Sequence, residues 1–240
     1  DELALERLNN LVDLIAKLKN EKKQQVILVS SGAVAAGNVT LNLDKTQILN
    51  RQALAAIGQP LLMKHYKKRF AKHNLKCAQM LLVAEDFDSR KRSQNAKDVM
   101  EILLTNGIIP IINENDVIAN EELLFGDNDQ LGAHAAHYFD ADMLVILSDV
   151  NGLYDCNPHE NDNALLLKEV NTLDDEDLKV KHSPNSEFAT GGIVTKLKAA
   201  KFLMHRGKSM YLSSGFDLTN AYDFLFHEKH LSGTIFRNRV

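Results

Sequence analysis

Short, continuous apolar runs alternate along the chain with longer segments whose apolar residues recur at helical spacing. The strand-like runs are Val26–Val29, Met80–Val83, Ile108–Ile112, Met143–Leu147 and Met210–Leu212. Strands that are apolar throughout are buried on both faces, a pattern typical of a mostly parallel sheet covered by helices. The sequence therefore predicts an α/β fold. In such sheets, ligands bind beyond the carboxyl ends of the strands.

Helices are predicted between these strands. Helical spacing of apolar residues indicates helices over about 3–18, 44–73, 93–106, 196–206 and 217–226. We expect the second helix to be broken or kinked near Gly58 and Pro60, because proline removes a helical hydrogen bond. Gly107 and Gly207 are expected to end the helices that precede them. Asp217 is a good N-cap for the last helix.

Composition restricts the classes of protein to which the chain can belong. The 240 residues carry a net charge of -4, which argues against nucleic-acid or membrane-surface binding, where a basic patch is expected. Two distant cysteines, Cys77 and Cys156, suggest free thiols in a reduced compartment. No apolar run approaches the roughly 20 residues of a membrane span. We expect one cytoplasmic domain over residues 1–240.

The first strand leads into small residues, the segment SSGAVAAG at 30–37. Small residues let a ligand approach the backbone, and free amides with two hydroxyl groups suit an anionic oxygen. A Ser-Gly turn of this kind is also common as simple punctuation between a strand and a helix.

Carboxylates and amides follow the third strand in two clusters, NEND at 113–116 and GDND at 126–129. Helix capping explains one residue of each cluster and leaves the other carboxylates and amides unexplained. Carboxylate and amide groups together suit the binding of an α-amino group. They also suit the orienting of donors around phosphates and magnesium. A calcium loop is excluded, since no spaced ligand series with a closing glutamate follows.

Two further segments lie later in the chain, after the fourth predicted strand. SDVNGLY at 148–154 comes after the fourth strand and is compatible with nucleotide contact or with a plain turn. TGGIVTK at 190–196 pairs glycines with a lysine where a helix begins, which is typical of a phosphate cradle. The spacing of a Walker loop is absent. No cysteine or histidine pattern predicts a protein-held metal site.

In this order, these segments resemble the amino acid kinase family, and within it the members that phosphorylate glutamate. Stretches 52–59 (QALAAIGQ) and 233–236 (GTIF) extend the resemblance to nearly the whole chain. The resemblance implies a three-layer α/β/α sandwich around a central, mostly parallel sheet. It also implies transfer of the γ-phosphoryl group of ATP to the side-chain carboxylate of L-glutamate, at the start of proline biosynthesis. Mg²⁺, held mainly by the nucleotide phosphates, is the implied ion, and a homodimer or homotetramer is the implied assembly.

The resemblance also assigns roles by motif position. The implied glutamate-binding residues are Ser31, Asp116 and Asn128, with Gly32 in the same anion-binding turn. The implied ATP-binding residues are Ser148, Asp149, Thr190, Gly191, Gly192, Ile193, Val194, Thr195 and Lys196. Lys196 is expected to neutralise the moving phosphoryl group, and Asp129 to position groups at the reaction centre. A carboxylate is already nucleophilic, so no general base is needed and the protein mainly positions and screens charge.

The sequence departs from the family at both ends. Family members usually open with a strand carrying a Lys-x-Gly-Ser-type turn, and no such turn precedes the first helix here. We expect the sequence to be a truncated record of an active enzyme. Many relatives also carry a C-terminal PUA domain, and the chain resembles the form without one.

Two alternatives stay open. One is a relative that acts on aspartate, N-acetylglutamate, carbamate or UMP, although the clusters ending at Asp116 and Asp129 favour a free amino acid. The other is a sensor that binds nucleotide or amino acid without catalysis.

Overall fold

The computed structural model describes residues 4–119, 128–156, 161, 163–174 and 192–238. The chain divides into two compact units, residues 1–131 and 132–240. Each unit contains its own sheet. The single domain expected over residues 1–240 stays a prediction.

The described helices and strands follow the predicted alternation. The helices are α1 (Leu5–Asn20), α2 (Ala33–Asn38), α3 (Ile48–Ala71), α4 (Ala84–Asp88), α5 (Arg90–Thr105), α6 (Asn128–Tyr138), α7 (Gly192–Met204) and α8 (Thr219–His227). The strands are β1 (Leu28–Val29), β2 (Cys77–Leu82), β3 (Ile109–Glu114), β4 (Met143–Ser148), β5 (Glu169–Val170), β6 (Ser209–Ser214) and β7 (Thr234–Phe236).

The first unit contains a parallel sheet with strand order β1-β3-β2. Leu28 pairs with Ile111, and Met80 pairs with Ile112. All six residues of the central strand β3 are buried. Apolar side chains of α1 and α3, including Val12 and Phe70, pack with β3 in one core cluster. The carboxyl ends of these parallel strands share one edge of the sheet, which is where ligands are expected.

Helices α2 and α3 approach each other closely through two glycines. A methyl group on Gly58 would lie 1.7 Å from the carbonyl oxygen of Ala33, and one on Gly37 would lie 1.9 Å from that of Leu54. These distances are far below van der Waals contact, so only glycine fits at either position. Several small residues of the segment at 30–37 therefore serve helix packing as well as the turn.

The second unit contains a mixed sheet with strand order β4-β6-β7-β5. β4 and β6 are parallel over six pairs, from Met143–Ser209 to Ser148–Ser214, β5 and β7 are also parallel, and β6 and β7 are antiparallel. The core contains apolar residues of α7 that are fully buried, namely Leu197, Ala199, Ala200 and Leu203. The prediction of an α/β fold with mostly parallel pairing is confirmed.

Three local predictions differ from the structure in detail. Helix α3 is not broken and runs through Gly58 and Pro60, whereas a kink there stays a prediction. Pro60 lies on the exposed side of the helix, where water can reach the backbone carbonyl that it leaves without a helical donor. The N-cap of α8 is Leu218 rather than Asp217, whose carboxylate instead accepts from the backbone N–H of Thr219 at 2.9 Å. Strand β3 continues through Asn113 and Glu114, which were expected after it.

Two glycines end helices as predicted. Gly107 follows α5 with φ of +73°, and Gly207 follows α7 with φ of +69°. Such left-handed backbone strongly favours glycine. No helix within the described ranges has both the length and the apolar character needed to cross a membrane.

Candidate functional site

The turn after β1 is held by a buried hydrogen-bond arrangement. The Ser30 N–H donates to the carbonyl oxygen of Ile112 at 2.9 Å, which extends the pairing of β1 with β3. The Ser30 hydroxyl donates to the carbonyl oxygen of Ser31 at 3.0 Å and lies 2.7 Å from the Tyr66 hydroxyl. Because serine has one hydroxyl proton, Tyr66 is the donor in the second bond. The main chain is thereby fixed where Ser31 projects.

Ser31 and Gly32 occupy the turn itself. Ser31 is exposed, and Gly32 has φ of +113°, a conformation that favours glycine, immediately before α2. Asn128, the first residue of α6, donates from Nδ2 to the Ser31 Oγ at 2.6 Å. The structure therefore brings together two of the predicted glutamate-binding residues, which lie 97 positions apart in the sequence.

A chain of hydrogen-bonded amide side chains extends from this pair within the first unit. The Nδ2 of Asn128 also donates to the Oδ1 of Asn113 at 3.2 Å. The Nδ2 of Asn113 donates to the Oε1 of Gln59 at 3.0 Å, and the Nε2 of Gln59 donates to the Oε1 of Gln79 at 3.2 Å. We call Ser31, Asn128, Asn113, Gln59 and Gln79 the amide chain. Asn113 and Gln59 are buried, so their hydrogen bonds replace those lost to water.

Asp116 lies in the tight turn that follows β3. The turn is fixed by Asn115, whose N–H donates to Leu82 and whose carbonyl oxygen accepts from Ile118 and Ala119. Partial burial raises the pKa of the Asp116 carboxyl above its ordinary value, and the nearby positive charge of Arg51 acts in the opposite direction. A carboxylate that has lost part of its hydration gains more from a cationic ligand group than an exposed one does.

The GDND segment is described in part. Asp129 lies in the first turn of α6, where a negative charge is favoured by the helix dipole. Gly126 and Asp127 lie outside the described residues. The role assigned to Asp129 stays a prediction.

The predicted nucleotide residues lie in the second unit, beginning at the carboxyl end of β4. The Ser148 hydroxyl donates to the Oδ1 of the exposed Asp149 at 2.8 Å. The neighbouring strand β6 ends beside them, since the N–H of Gly215 donates to the carbonyl oxygen of Ser148 at 2.6 Å. A methyl group on Gly215 would lie 3.3 Å from Leu147, tighter than most contacts. The strand ends therefore approach closely here.

Two of the resembling segments meet within this unit. The N–H of Leu153, in the SDVNGLY segment, donates to the Oγ1 of Thr234, in the GTIF segment, at 2.7 Å. Thr234 is fully buried, and a methyl group on Gly152 would lie 2.7 Å from its Oγ1. This contact fixes the course of the backbone after Asp149.

Helix α7 carries the described part of the TGGIVTK segment. Both Thr195, through Oγ1 at 3.0 Å, and Lys196, through Nζ at 3.1 Å, donate to the carbonyl oxygen of Gly192. The side chains of Ile193 and Val194 are buried in the core of the second unit, so they act in packing. The remaining predicted residues of the segment, Thr190 and Gly191, lie outside the described residues.

The sequence analysis gave no individual role to two groups of residues that the structure places at these positions. Gln59 and Asn113 complete the amide chain, and the signal for Asn113 was its place in the NEND cluster, directly after four buried apolar positions. The second group is Ser213-Ser214-Gly215, in which the two serines end β6 and Gly215 follows it beside Ser148. Its signal was a repeated tripeptide, because Ser30-Ser31-Gly32 also stands at the end of a strand.

Comparisons with known proteins agree with this arrangement. The sequence model of the amino acid kinase family matches residues 2–213. A glutamate 5-kinase of Wolinella succinogenes is 55% identical over 98% of this chain and 91% of its own length. A glutamate 5-kinase of Leishmania donovani is 53% identical over 100% of this chain and 90% of its own length.

Solved structures show the same fold at low identity. An isopentenyl phosphate kinase of T. acidophilum, in a product complex, superposes with a TM-score of 0.59 at 14% identity and covers 97% of this chain and 91% of its own. X-ray structures of isopentenyl phosphate kinase reach a TM-score of 0.63 at 16% identity, covering 96% and 90%.

Proposed function

This chain belongs to the amino acid kinase family, and on that premise we propose that it is a glutamate 5-kinase. It transfers the γ-phosphoryl group of ATP to the side-chain carboxylate of L-glutamate, the first step of proline biosynthesis. The observation that carries the proposal is the 55% identity with a curated glutamate 5-kinase over 98% of the chain. The matched region also covers 91% of that relative's own length.

Glutamate binding is assigned to the first unit. Ser31 and Asn128 supply a hydroxyl and an amide at 2.6 Å from each other, and Gly32 leaves the backbone open to a carboxylate. Asp116 supplies a negative charge, which suits the α-ammonium group of a free amino acid. An acetylated amine or a nucleotide offers no such cation, so these groups favour glutamate over N-acetylglutamate or UMP.

ATP binding is assigned to the second unit. Ser148 and Asp149 at the end of β4 contribute polar contacts to the nucleotide, together with Gly192, Thr195 and Lys196 in the first turns of α7 and with Thr190 and Gly191, which precede that helix in the sequence. Ile193 and Val194 contribute through their backbone, since their side chains are buried. A helix N-terminus favours phosphate because its backbone N–H groups and dipole are positive there. The Lys196 ammonium adds a full charge in the same helical turn as Gly192.

The chemistry needs charge neutralisation more than proton transfer. The glutamate carboxylate is the nucleophile, and no base has to activate it. Two anions repel as they approach, so the Lys196 ammonium lowers the barrier by balancing the charge that the transferred group develops; Mg²⁺ bound with ATP would supply further positive charge. We propose that Mg²⁺ accompanies ATP and is held mainly by its phosphates; exposed oxygen donors such as the Asp149 carboxylate are of the kind that Mg²⁺ accepts. Asp129 is assigned a positioning role beside the substrates.

The test is ATP consumption with Mg²⁺ against L-glutamate, L-aspartate, N-acetylglutamate, carbamate and UMP, with hydroxylamine present to trap an acyl phosphate. We expect glutamate-dependent hydroxamate and background rates elsewhere. Turnover with another acceptor at a higher kcat/KM would replace the substrate assignment. Tight binding of ATP and glutamate without turnover, in a chain carrying the expected Lys-x-Gly-Ser strand, would support the sensor alternative. The cytoplasmic location and the homodimer or homotetramer stay predictions.

A further inference from the structure

The amide chain has a fixed direction, which is set by the protein backbone. The N–H of Glu114 donates to the Oδ1 of Asn113 at 2.9 Å. A backbone N–H can only donate, so this oxygen of Asn113 is an acceptor and its Nδ2 must be the donor. The Nδ2 of Asn113 meets the Oε1 of Gln59 at 3.0 Å, which in turn leaves the Nε2 of Gln59 to donate to Gln79.

The same direction continues toward the exposed end of the chain. Because the Oδ1 of Asn113 accepts, the atom of Asn128 that meets it at 3.2 Å is the donor Nδ2. This Nδ2 also donates to the Oγ of Ser31 at 2.6 Å. Within the described residues, both contacts of the Asn128 side chain use Nδ2, and its Oδ1 is therefore the acceptor offered to a ligand. Ser31 accepts from Asn128, and so its single hydroxyl proton is the one offered outward.

The two exposed ends of this arrangement match the two charges of an amino acid. The Oδ1 of Asn128 suits an ammonium group, which can only donate, and the Ser31 hydroxyl proton suits a carboxylate, which can only accept. A reversed Asn128 amide would present N–H to the ammonium group, and the contact would be repulsive. The orientation of one amide thus decides whether the site accepts the zwitterion.

We propose that Gln59 is a positioning residue that fixes this orientation through Asn113, an inference that rests on the proposed function. Gln59 is 8% exposed and lies on α3, 54 positions from Asn113 in the sequence. Its Oε1 is the acceptor for the buried Nδ2 of Asn113, which is otherwise shielded from water. Without that acceptor, only the contacts to its Oδ1 still orient the Asn113 amide, and the unpaired buried Nδ2 favours rotation toward other partners, which weakens the imposed direction.

The experiment compares Gln59→Met with wild type. Methionine is similar in length and apolar, so it fills the space and removes the acceptor. We expect the KM for L-glutamate to rise about tenfold, the size of effect seen when a buried donor loses its partner. The kcat and the KM for ATP should stay within about twofold. Inhibition by glutarate, which lacks the ammonium group, should change little, so the preference for glutamate over glutarate falls.

One further variant completes the test. Gln59→Glu keeps an acceptor oxygen, and its glutamate KM should stay within about threefold of wild type. If Gln59→Met does not fold, Gln59→Glu decides: a tenfold rise in its KM overturns the inference.

Other outcomes separate this inference from the proposed function. An unchanged glutamate KM in Gln59→Met, with active wild type, overturns the positioning role alone. The same holds if the KM for ATP rises while kcat and thermal stability fall, because the residue would then be merely structural. Wild-type protein that neither phosphorylates L-glutamate nor binds it in calorimetry overturns both.

Discussion

The tripeptide Ser-Ser-Gly stands at the carboxyl end of a parallel strand in both units, directly after β1 in the first and over the last two residues of β6 in the second. The second serine acts differently in each. In the first unit, Ser31 is exposed and its hydroxyl accepts from Asn128. In the second unit, Ser214 is buried, and its hydroxyl accepts from the N–H groups of Phe216 and Asp217 at 3.1 and 3.4 Å. On the proposed function, the first serine faces the substrate, whereas the second stabilises its own turn. Identical local sequence would then serve binding in one place and backbone hydrogen bonding in the other.

The surroundings of the two turns differ in the same way. Around Ser31, neutral amides form a buried chain that fixes donors and acceptors in advance. In the second unit, two of the predicted nucleotide-binding side chains are hydrogen-bonded to near neighbours in the sequence, Ser148 to Asp149 and Lys196 to Gly192. Neutral, directed groups suit recognition of an amino acid, whereas a cation on a long side chain suits a phosphoryl group whose charge moves. Substitutions in the first unit should therefore act on glutamate binding, and those in the second on turnover.

The largest effect is expected for Lys196→Ala. Removing the cation that balances the transferred phosphoryl group should lower kcat by about 10²–10³ while the glutamate KM changes little, because the charge acts mainly in the transition state. Lys198→Ala, an exposed lysine on the same helix, is the matched control and should keep wild-type kcat. Steady-state kinetics in ATP and glutamate measure both. A kcat within twofold of wild type would remove Lys196 from catalysis and with it the contrast between the units.

The second largest effect is expected for Asp116→Asn and concerns the binding of glutamate. Losing a charge-assisted contact to the ammonium group should raise the glutamate KM by about 10–100-fold. An unchanged KM would take Asp116 out of the substrate site.

Replacement of Asp116 should also change how the free energy of unfolding depends on pH. Its pKa is raised in the folded protein by burial, so the folded state holds this proton more tightly than the unfolded chain. The contribution to stability is present at low pH and is lost as pH rises through the folded-state pKa. Asp116→Asn should therefore be at least as stable as wild type at pH 7, with the difference vanishing in acid. Urea unfolding at several pH values measures it; a variant less stable than wild type at pH 7 would contradict the sign.

The smallest effects come from the two serines, and they test the comparison directly. Ser31→Ala should raise the glutamate KM about fivefold, since a net hydrogen bond contributes about 1 kcal/mol, and it should leave stability unchanged. Ser214→Ala should instead lower the free energy of unfolding by about 1–2 kcal/mol, as loss of a helix cap does, with no change in either KM. Urea unfolding with kinetics on both variants decides. If Ser31→Ala instead lowered stability and Ser214→Ala raised the glutamate KM, exposure of the serine would not predict its role.

The sequence predicted those features that depend on local pattern. Apolar runs located five strands, and Gly107 and Gly207 marked helix ends because left-handed backbone favours glycine. The continuity of α3 could not be predicted in this way. Its course through Gly58 depends on the close approach of α2, a contact between segments that local pattern does not connect.

The candidate site likewise contains residues that local pattern identified and residues that it did not. Ser31, Asp116 and Asn128 were identified as motif residues, and the contact of Ser31 with Asn128 confirms that two of them lie together. Gln59 was not assigned a role, because a glutamine on a helix gives no local signal and its partner Asn113 is 54 positions away. Periodicity indicates which face of a helix is buried, but hydrogen bonds between distant side chains become visible only in three dimensions.

The contact between Gly37 and Gly58 limits how substrate choice can be redesigned or can drift during evolution. Neither position has room for a single methyl group, so libraries that randomise the whole segment at 30–37 will consist mostly of unfolded protein. Loss of activity at those glycines will then reflect packing and carry no information about recognition. A search for altered acceptor specificity should hold both glycines constant and vary only the side chains that face the substrate.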